Sequence, residues 1–186
     1  MIEVVLASQS PRRKQLLEWA EVPFEIIVKE TDEKFPSEMQ TDEVPVFIAR
    51  NKALAVQALV RDERPVLAAD TVVVLHNRII GKPVDRDDAI SILKDLSGQE
   101  HEVITGVVIL YKGREIAFSD STKVVFHPLS EEQIIFYVDK YRPYDKAGAY
   151  AIQEWIGVTG IKSVSGDFYN VMGLPVSRVI HALSTL

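Results

Sequence analysis

Ile2-Glu-Val-Val-Leu-Ala-Ser-Gln-Ser-Pro-Arg-Arg13 decides the fold of this chain of 186 residues. The apolar run from Ile2 to Ala7 predicts a buried first strand. Ser10-Pro11 then reads as a helix N-cap followed by proline at the first helical position, with Leu16, Leu17 and Ala20 turned to the core of a helix ending near Ala20. The opening N–H groups of such a helix have no intrahelical partner and carry partial positive charge, so the turn suits an anion. Arg12 and Arg13 oppose that dipole, which favours acidic side chains at this end by about 0.3–1 kcal/mol. Local rules fail where a site is being built. With Ser8, Ser10 and the free N–H groups, the two arginines form a phosphate clamp, because guanidinium groups pair phosphate oxygens two at a time. The alternative is that both arginines lie in solvent on the outer face of the helix.

Working outward, Phe24 to Val28 reads as a second strand and Lys29 to Glu43 as a long polar loop. Its Asp32 and Glu33 either hold a hard cation through oxygen or belong to a solvated acidic loop. Pro45 opens a helix whose apolar face is read as Phe47, Ile48, Asn51, Leu54, Ala55, Ala58 and Leu59, with Lys52 off that stripe. Val66 to Leu75 is apolar enough to be a strand covered on both faces, where Asp70 needs a metal ion, a lysine or an arginine, or else backbone N–H groups at a strand break. A carboxylate held there is a candidate metal ligand or general base. Alternation puts Asp70 and Thr71 on opposite faces, so the strand must end or bulge if both serve one site. Gly81-Lys82-Pro83 makes a tight exit that aims Lys82 inward. A helix from about Asp85 to Leu96 follows. Two long strands, Glu102 to Tyr111 and Glu115 to Phe126, turn about Lys112-Gly113, and Ser130-Glu-Glu-Gln133 caps a helix reaching about Lys140. Small residues crowd Pro143 to Gln153 and let backbone approach a ligand. A short strand near Ile161 to Val164 and a last helix burying Val176, Val179, Ile180 and Leu183 complete the chain.

A mass of 20.9 kDa with 47% hydrophobic residues supports one cored domain, residues 1–186. No apolar stretch reaches the ~18 residues of a membrane span. Met1-Ile2-Glu3 lacks a basic leader, so a secretory signal is not expected and the cytoplasm is. The absence of cysteine excludes thiolate chemistry and cysteine-ligated zinc. His76, His101, His127 and His181 stand too far apart for ligand spacing. A net charge of -6 argues against a nucleic-acid partner, and a local cationic pocket in an acidic chain points to a small polyanion.

Together, the clamp (Ser8, Arg12, Arg13), two further cations (Lys52, Lys82) and the acidic Glu33 and Asp70 suit phosphoryl transfer on a polyphosphate with Mg²⁺ or Mn²⁺, since only oxygen ligands are on offer. Neither a Walker motif nor a dinucleotide-binding glycine motif is present. Ala7-Ser-Gln-Ser-Pro-Arg-Arg13, Ala69-Asp70-Thr71, Gly81-Lys82-Pro83, Thr105-Gly106-Val107, Asp145-Lys-Ala-Gly-Ala-Tyr-Ala-Ile-Gln153 and Val171-Met-Gly-Leu-Pro175 resemble, in order and over essentially the whole chain, the motifs of the Maf family of nucleoside triphosphate pyrophosphatases. The resemblance implies an α/β domain with an elongated mixed sheet flanked by helices and a deep central cleft, similar to the inosine triphosphatases, commonly as a homodimer. It implies hydrolysis of a nucleoside triphosphate to the monophosphate and pyrophosphate, with Asp70 as proton acceptor, Ser8, Arg12, Arg13, Lys52 and Lys82 on the phosphates, and Glu33 with Asp70 at the metal. Arg13, Thr71 and Gln153 match the positions that mark the branch acting on dTTP and UTP, and a primary amide suits the imide edge of a pyrimidine. House-cleaning of modified pyrimidine nucleotides would follow from that activity. The alternatives are a 7-methyl-GTP pyrophosphatase and a nucleotide-sensing regulator of septum formation.

Overall fold

The computed structural model describes residues 2–186. Its strands are β1 (Val4–Leu6), β2 (Phe24–Ile26), β3 (Val66–Leu75), β4 (Arg78–Ile80), β5 (Glu100–Tyr111), β6 (Arg114–Phe126) and β7 (Ile161–Ser165). They form one mixed sheet of seven strands in the order β2-β1-β3-β5-β6-β7, with β4 pairing β3. β1 is parallel to both β2 and β3, whereas β4 on β3 and β7 on β6 are antiparallel. The helices are α1 (Pro11–Trp19), α2 (Val44–Gln57), α3 (Arg86–Leu96), α4 (Glu131–Tyr141), α5 (Trp155–Gly160), α6 (Phe168–Met172) and α7 (Val176–Leu183), with a single 3-10 turn at Ala147–Ala149.

Two compact units share this chain: Met1–Thr71 with Thr105–Asp120 and Gly173–Leu186, and Val72–Ile104 with Ser121–Met172. In the first, Val5, Ala7, Val66, Ala68, Val108 and Leu110 of the sheet pack against Ala49, Ala53 and Val56 of α2. Small residues on α2 let it lie close to the strands. Gly106 carries this furthest, since a Cβ there would stand 2.2 Å from the Val46 nitrogen. The buried stripe of α2 therefore differs from the predicted one: Ile48, Ala49, Ala53 and Val56 face inward, while Leu54 and Leu59 are about half exposed. Choosing the larger apolar residues moved the stripe by about one position; the alanines meet the sheet because bulk would not fit there.

In the second unit, β3 turns into β4 through His76 and Asn77, both at positive φ, the geometry of a type I′ hairpin, with Val73 opposite Ile80. Asp85 and Ser130 cap α3 and α4, and α4 has the full capping box read from Ser130 and Gln133. His101 stacks on Phe126 with Tyr150 edge-on to both, so the one deeply buried histidine is part of an aromatic core.

Candidate active site

β1 delivers the chain to the turn Ala7–Ser10, and Ser10 caps α1 by accepting from the Arg13 N–H at 3.5 Å, long for such a bond. α3 and α4 carry acids in their first turns, Asp87 and Asp88 or Glu131 and Glu132, as the dipole asks. α1 carries none and has Arg12 and Arg13 instead. The two arginines take different places. Arg12 is half-buried; Arg13 is buried, its guanidinium held by three acceptors. Nε donates to the Gly173 carbonyl at 2.8 Å, Nη1 to Ser8 Oγ at 3.2 Å and Nη2 to Thr71 Oγ1 at 3.0 Å. Burial lowers the Arg13 pKa from its ordinary value; Asp70 opposes that, Arg12 adds to it and Glu33 opposes it. Arg13 remains a cation in either case, and these neighbours put Arg12, Asp70 and Glu33 within its electrostatic reach.

Ser8 Oγ accepts twice, from Arg13 and from the Ser10 N–H at 3.2 Å, which directs its own proton away from both. Gly173, at φ +120°, offers the carbonyl that anchors Arg13 in a backbone conformation other residues avoid. Thr71 Oγ1 lies 2.9 Å from Thr105 Oγ1 on β5, where Thr105 is fully buried.

Asp70 and Thr71 are neighbours in an unbroken strand. They take separate partners, Lys52 for Asp70 and Arg13 with Thr105 for Thr71, and β3 does not end between them. Asp70 Oδ1 accepts from Lys52 Nζ at 2.7 Å, and the same ammonium lies 2.8 Å from Glu33 Oε1. The Lys52 side chain is 18% exposed, so a lysine that lies off the predicted apolar stripe of its helix is held in an ion triad. Of the two acids in the loop, Glu33 reaches the triad, whereas Asp32 caps its own turn by accepting from the Lys34 N–H at 3.0 Å. Lys82 and Gln153 belong to the second unit and both are exposed; Gly81 beside Lys82 accepts from the Gly148 N–H at 3.1 Å.

The triad also bears on a metal. A cation already bridges Glu33 and Asp70, which shows that these two carboxylates accept positive charge between them, and both offer only hard oxygen. No cluster of three or more His, Cys, Asp or Glu suited to a metal occurs among the described residues. Two carboxylates fit the habit of Mg²⁺, which binds through one or two of them and completes its shell with water and substrate phosphates. Sequence reasoning gave no role to Thr105 or Gly173, although both lie in stretches it had singled out.

A helix-opening turn that carries two arginines, with an ion triad of Lys52, Glu33 and Asp70 within electrostatic reach of Arg13, has the chemistry that suits a polyphosphate. The chain matches the Maf-like protein family over residues 3–186 and belongs to it. It is 48% identical over 184 residues to a Cytophaga hutchinsonii protein named dTTP/UTP pyrophosphatase, covering 99% of this chain and 84% of that one. A Parabacteroides distasonis protein of the same name is 44% identical over 182 residues, covering 97% of this chain and 94% of that one. The Staphylococcus aureus Ham1 protein superposes with a TM-score of 0.44 at 16% identity, over 67% of this chain and 71% of that one. No helix among the described residues is long and apolar enough to cross a membrane.

Proposed function

We propose that this chain is a nucleoside triphosphate pyrophosphatase acting on dTTP and UTP, with residues 1–186 working as one domain. The observation that carries the reading is the joining of Asp70, Lys52 and Glu33 within 2.8 Å contacts, in the unit that also holds Arg12 and Arg13 at the start of α1. The names of its relatives support the substrate. A nucleoside triphosphate brings about four negative charges, so hydrolysis depends mostly on neutralisation and positioning. In this reading Asp70 takes a proton from the water that attacks the α-phosphorus. The bond from that phosphorus to the bridging oxygen breaks, and pyrophosphate leaves. Ser8, Arg12, Arg13, Lys52 and Lys82 hold the phosphates, while Arg13, Thr71 and Gln153 choose the base. Mg²⁺ or Mn²⁺, held by Glu33 and Asp70, would supply charge neutralisation on the phosphates. Modified pyrimidine nucleotides, a homodimer and a cytoplasmic location belong to the same proposal.

Pyrophosphate release from dTTP, UTP, 7-methyl-GTP and the other three standard ribonucleoside triphosphates, with Mg²⁺ or Mn²⁺, tests this. Turnover of dTTP and UTP ahead of the rest is the expected result. Preference for 7-methyl-GTP would assign the other branch, and silence across the panel would overturn the enzyme reading.

A further inference from the structure

Gln153 sits third in a four-residue turn, Ala151-Ile152-Gln153-Glu154, closed by the Glu154 N–H donating to the Ala151 carbonyl at 3.1 Å. α5 begins at the next residue and packs hard against the turn: a Cβ on Gly157 would lie 1.6 Å from the Ile152 carbonyl oxygen. Both ends of the turn are tied to one atom, the Tyr137 hydroxyl of α4. The Ala151 N–H donates to it at 3.1 Å, and it donates in turn to Glu154 Oε2. Tyr137 is fully buried, its ring stacked on Tyr141 with centroids 5.0 Å apart. Glu154 Oε1 lies 3.7 Å from Lys146 Nζ, which bonds Asp145 at 2.8 Å, so the carboxylate is braced from its other side. The Gln153 side chain, by contrast, is exposed.

We propose that Tyr137, with Glu154 as its acceptor, is a positioning residue for base recognition: it holds both ends of the turn that presents Gln153. The inference rests on the reading that Gln153 meets the pyrimidine. A hydroxyl can accept from the Ala151 backbone N–H and donate to the Glu154 side-chain carboxylate together, so removing its oxygen breaks both bonds at once. A loosened turn must be ordered each time substrate binds, which weakens binding. The chemical step at Asp70, in the other unit, is left as it was.

The test is steady-state kinetics on UTP for wild type, Tyr137→Phe, Gln153→Ala and the double variant, with thermal melting as a check on folding. Tyr137→Phe should raise KM about 10-fold while kcat holds within about 2-fold, the mark of lost binding rather than lost chemistry. In the Gln153→Ala background the same change should add nothing, because both act through one contact. A further 10-fold loss there, or a loss in kcat with KM unchanged, overturns the inference and leaves the enzyme reading intact. If Gln153→Ala does not alter KM, the base-contact reading falls and this inference with it. Should Tyr137→Phe fail to fold, Glu154 carries the test: Glu154→Ala should raise KM, and Glu154→Gln, which keeps an oxygen for the tyrosine, should restore most of it. Equal KM values for those two variants would overturn the proposal.

Discussion

Lys52 and His101 are both ionisable groups shielded from solvent, and the chain treats them in opposite ways. Lys52 lies between two carboxylates at 2.7 and 2.8 Å, so a charge held away from water is compensated by neighbours that are themselves partly open. His101 has no ionic partner: its Nε2 meets the Tyr150 hydroxyl at 2.6 Å, its Nδ1 has no hydrogen-bond partner, and its faces meet aromatic rings. Burial pushes its pKa down to about 4, and pushes that of Tyr150 up, so both stay neutral. The difference separates a cluster whose charges compensate one another within reach of solvent from one kept neutral by burial. Charge compensation that a ligand can re-form belongs to function; neutrality enforced by burial belongs to stability.

The largest effect that would sharpen this contrast is at the triad. Asp70→Asn keeps the shape and an oxygen facing Lys52 but removes the base, and should lower kcat for UTP about 10³-fold, or about 4 kcal/mol in the barrier, with melting little changed. Retention of full activity would remove Asp70 from the chemistry. The next effect belongs to His101 and should be absent from kcat. The folded pKa lies below the ordinary 6.5, so as pH falls the unfolded chain takes up the proton first. The stabilisation is therefore complete above about pH 6.5, declines as pH falls, and is lost by about pH 4, a total of about 3 kcal/mol. Urea unfolding of wild type and His101→Gln at pH 7 and pH 4.5 measures it. The variant should lose less stability between the two; equal losses would break the contrast by showing that the histidine accepts a proton in place.

How far the residues alone revealed these regions depends on whether the relevant physics is local. The cap at Ser10, the capping box at Ser130 and Gln133, and the turn at Lys112-Gly113 depend on neighbours within four positions, and each stands where it was read. The arginines at the start of α1 were legible for the same reason, as a breach of a local rule. Lys52 was named among the site's cations, but its pairing with Glu33 and Asp70 was not legible, because those partners lie 19 and 18 positions away and its own helix gives no sign that it turns inward. The stripe on α2 misled because the sheet approaches closely at Gly106, which makes small residues the buried ones. Tyr137 was given no role by its sequence; its hydroxyl finds its partners only when Ala151 and Glu154 are brought to it. Short helices such as α5 and α6, of six and five residues, carry too little periodicity to be read at all.

The smallest effect tests whether an ion pair must be shielded to matter. Arg50 stands two residues from Lys52 on α2 and makes a two-pronged bond to Glu115 of β6, with Nε at 3.0 Å and Nη2 at 2.8 Å from Oε1. This pair is two-pronged, and its hydrogen bonds raise the Arg50 pKa, yet both side chains are more than a third exposed. Water competes for both ions and salt screens them, so Arg50→Ala should cost under about 1 kcal/mol in urea unfolding, less still in high salt. Activity on UTP should stay at the wild-type level. Lys52→Met, at only 18% exposure, should reduce kcat/KM about 10²-fold in the same assay, because the group lost there is largely shielded and compensates both Glu33 and Asp70. If the two changes had equal effects on activity, exposure would not be what separates a functional cation on α2 from a structural one, and the triad would have to be read as another surface pair.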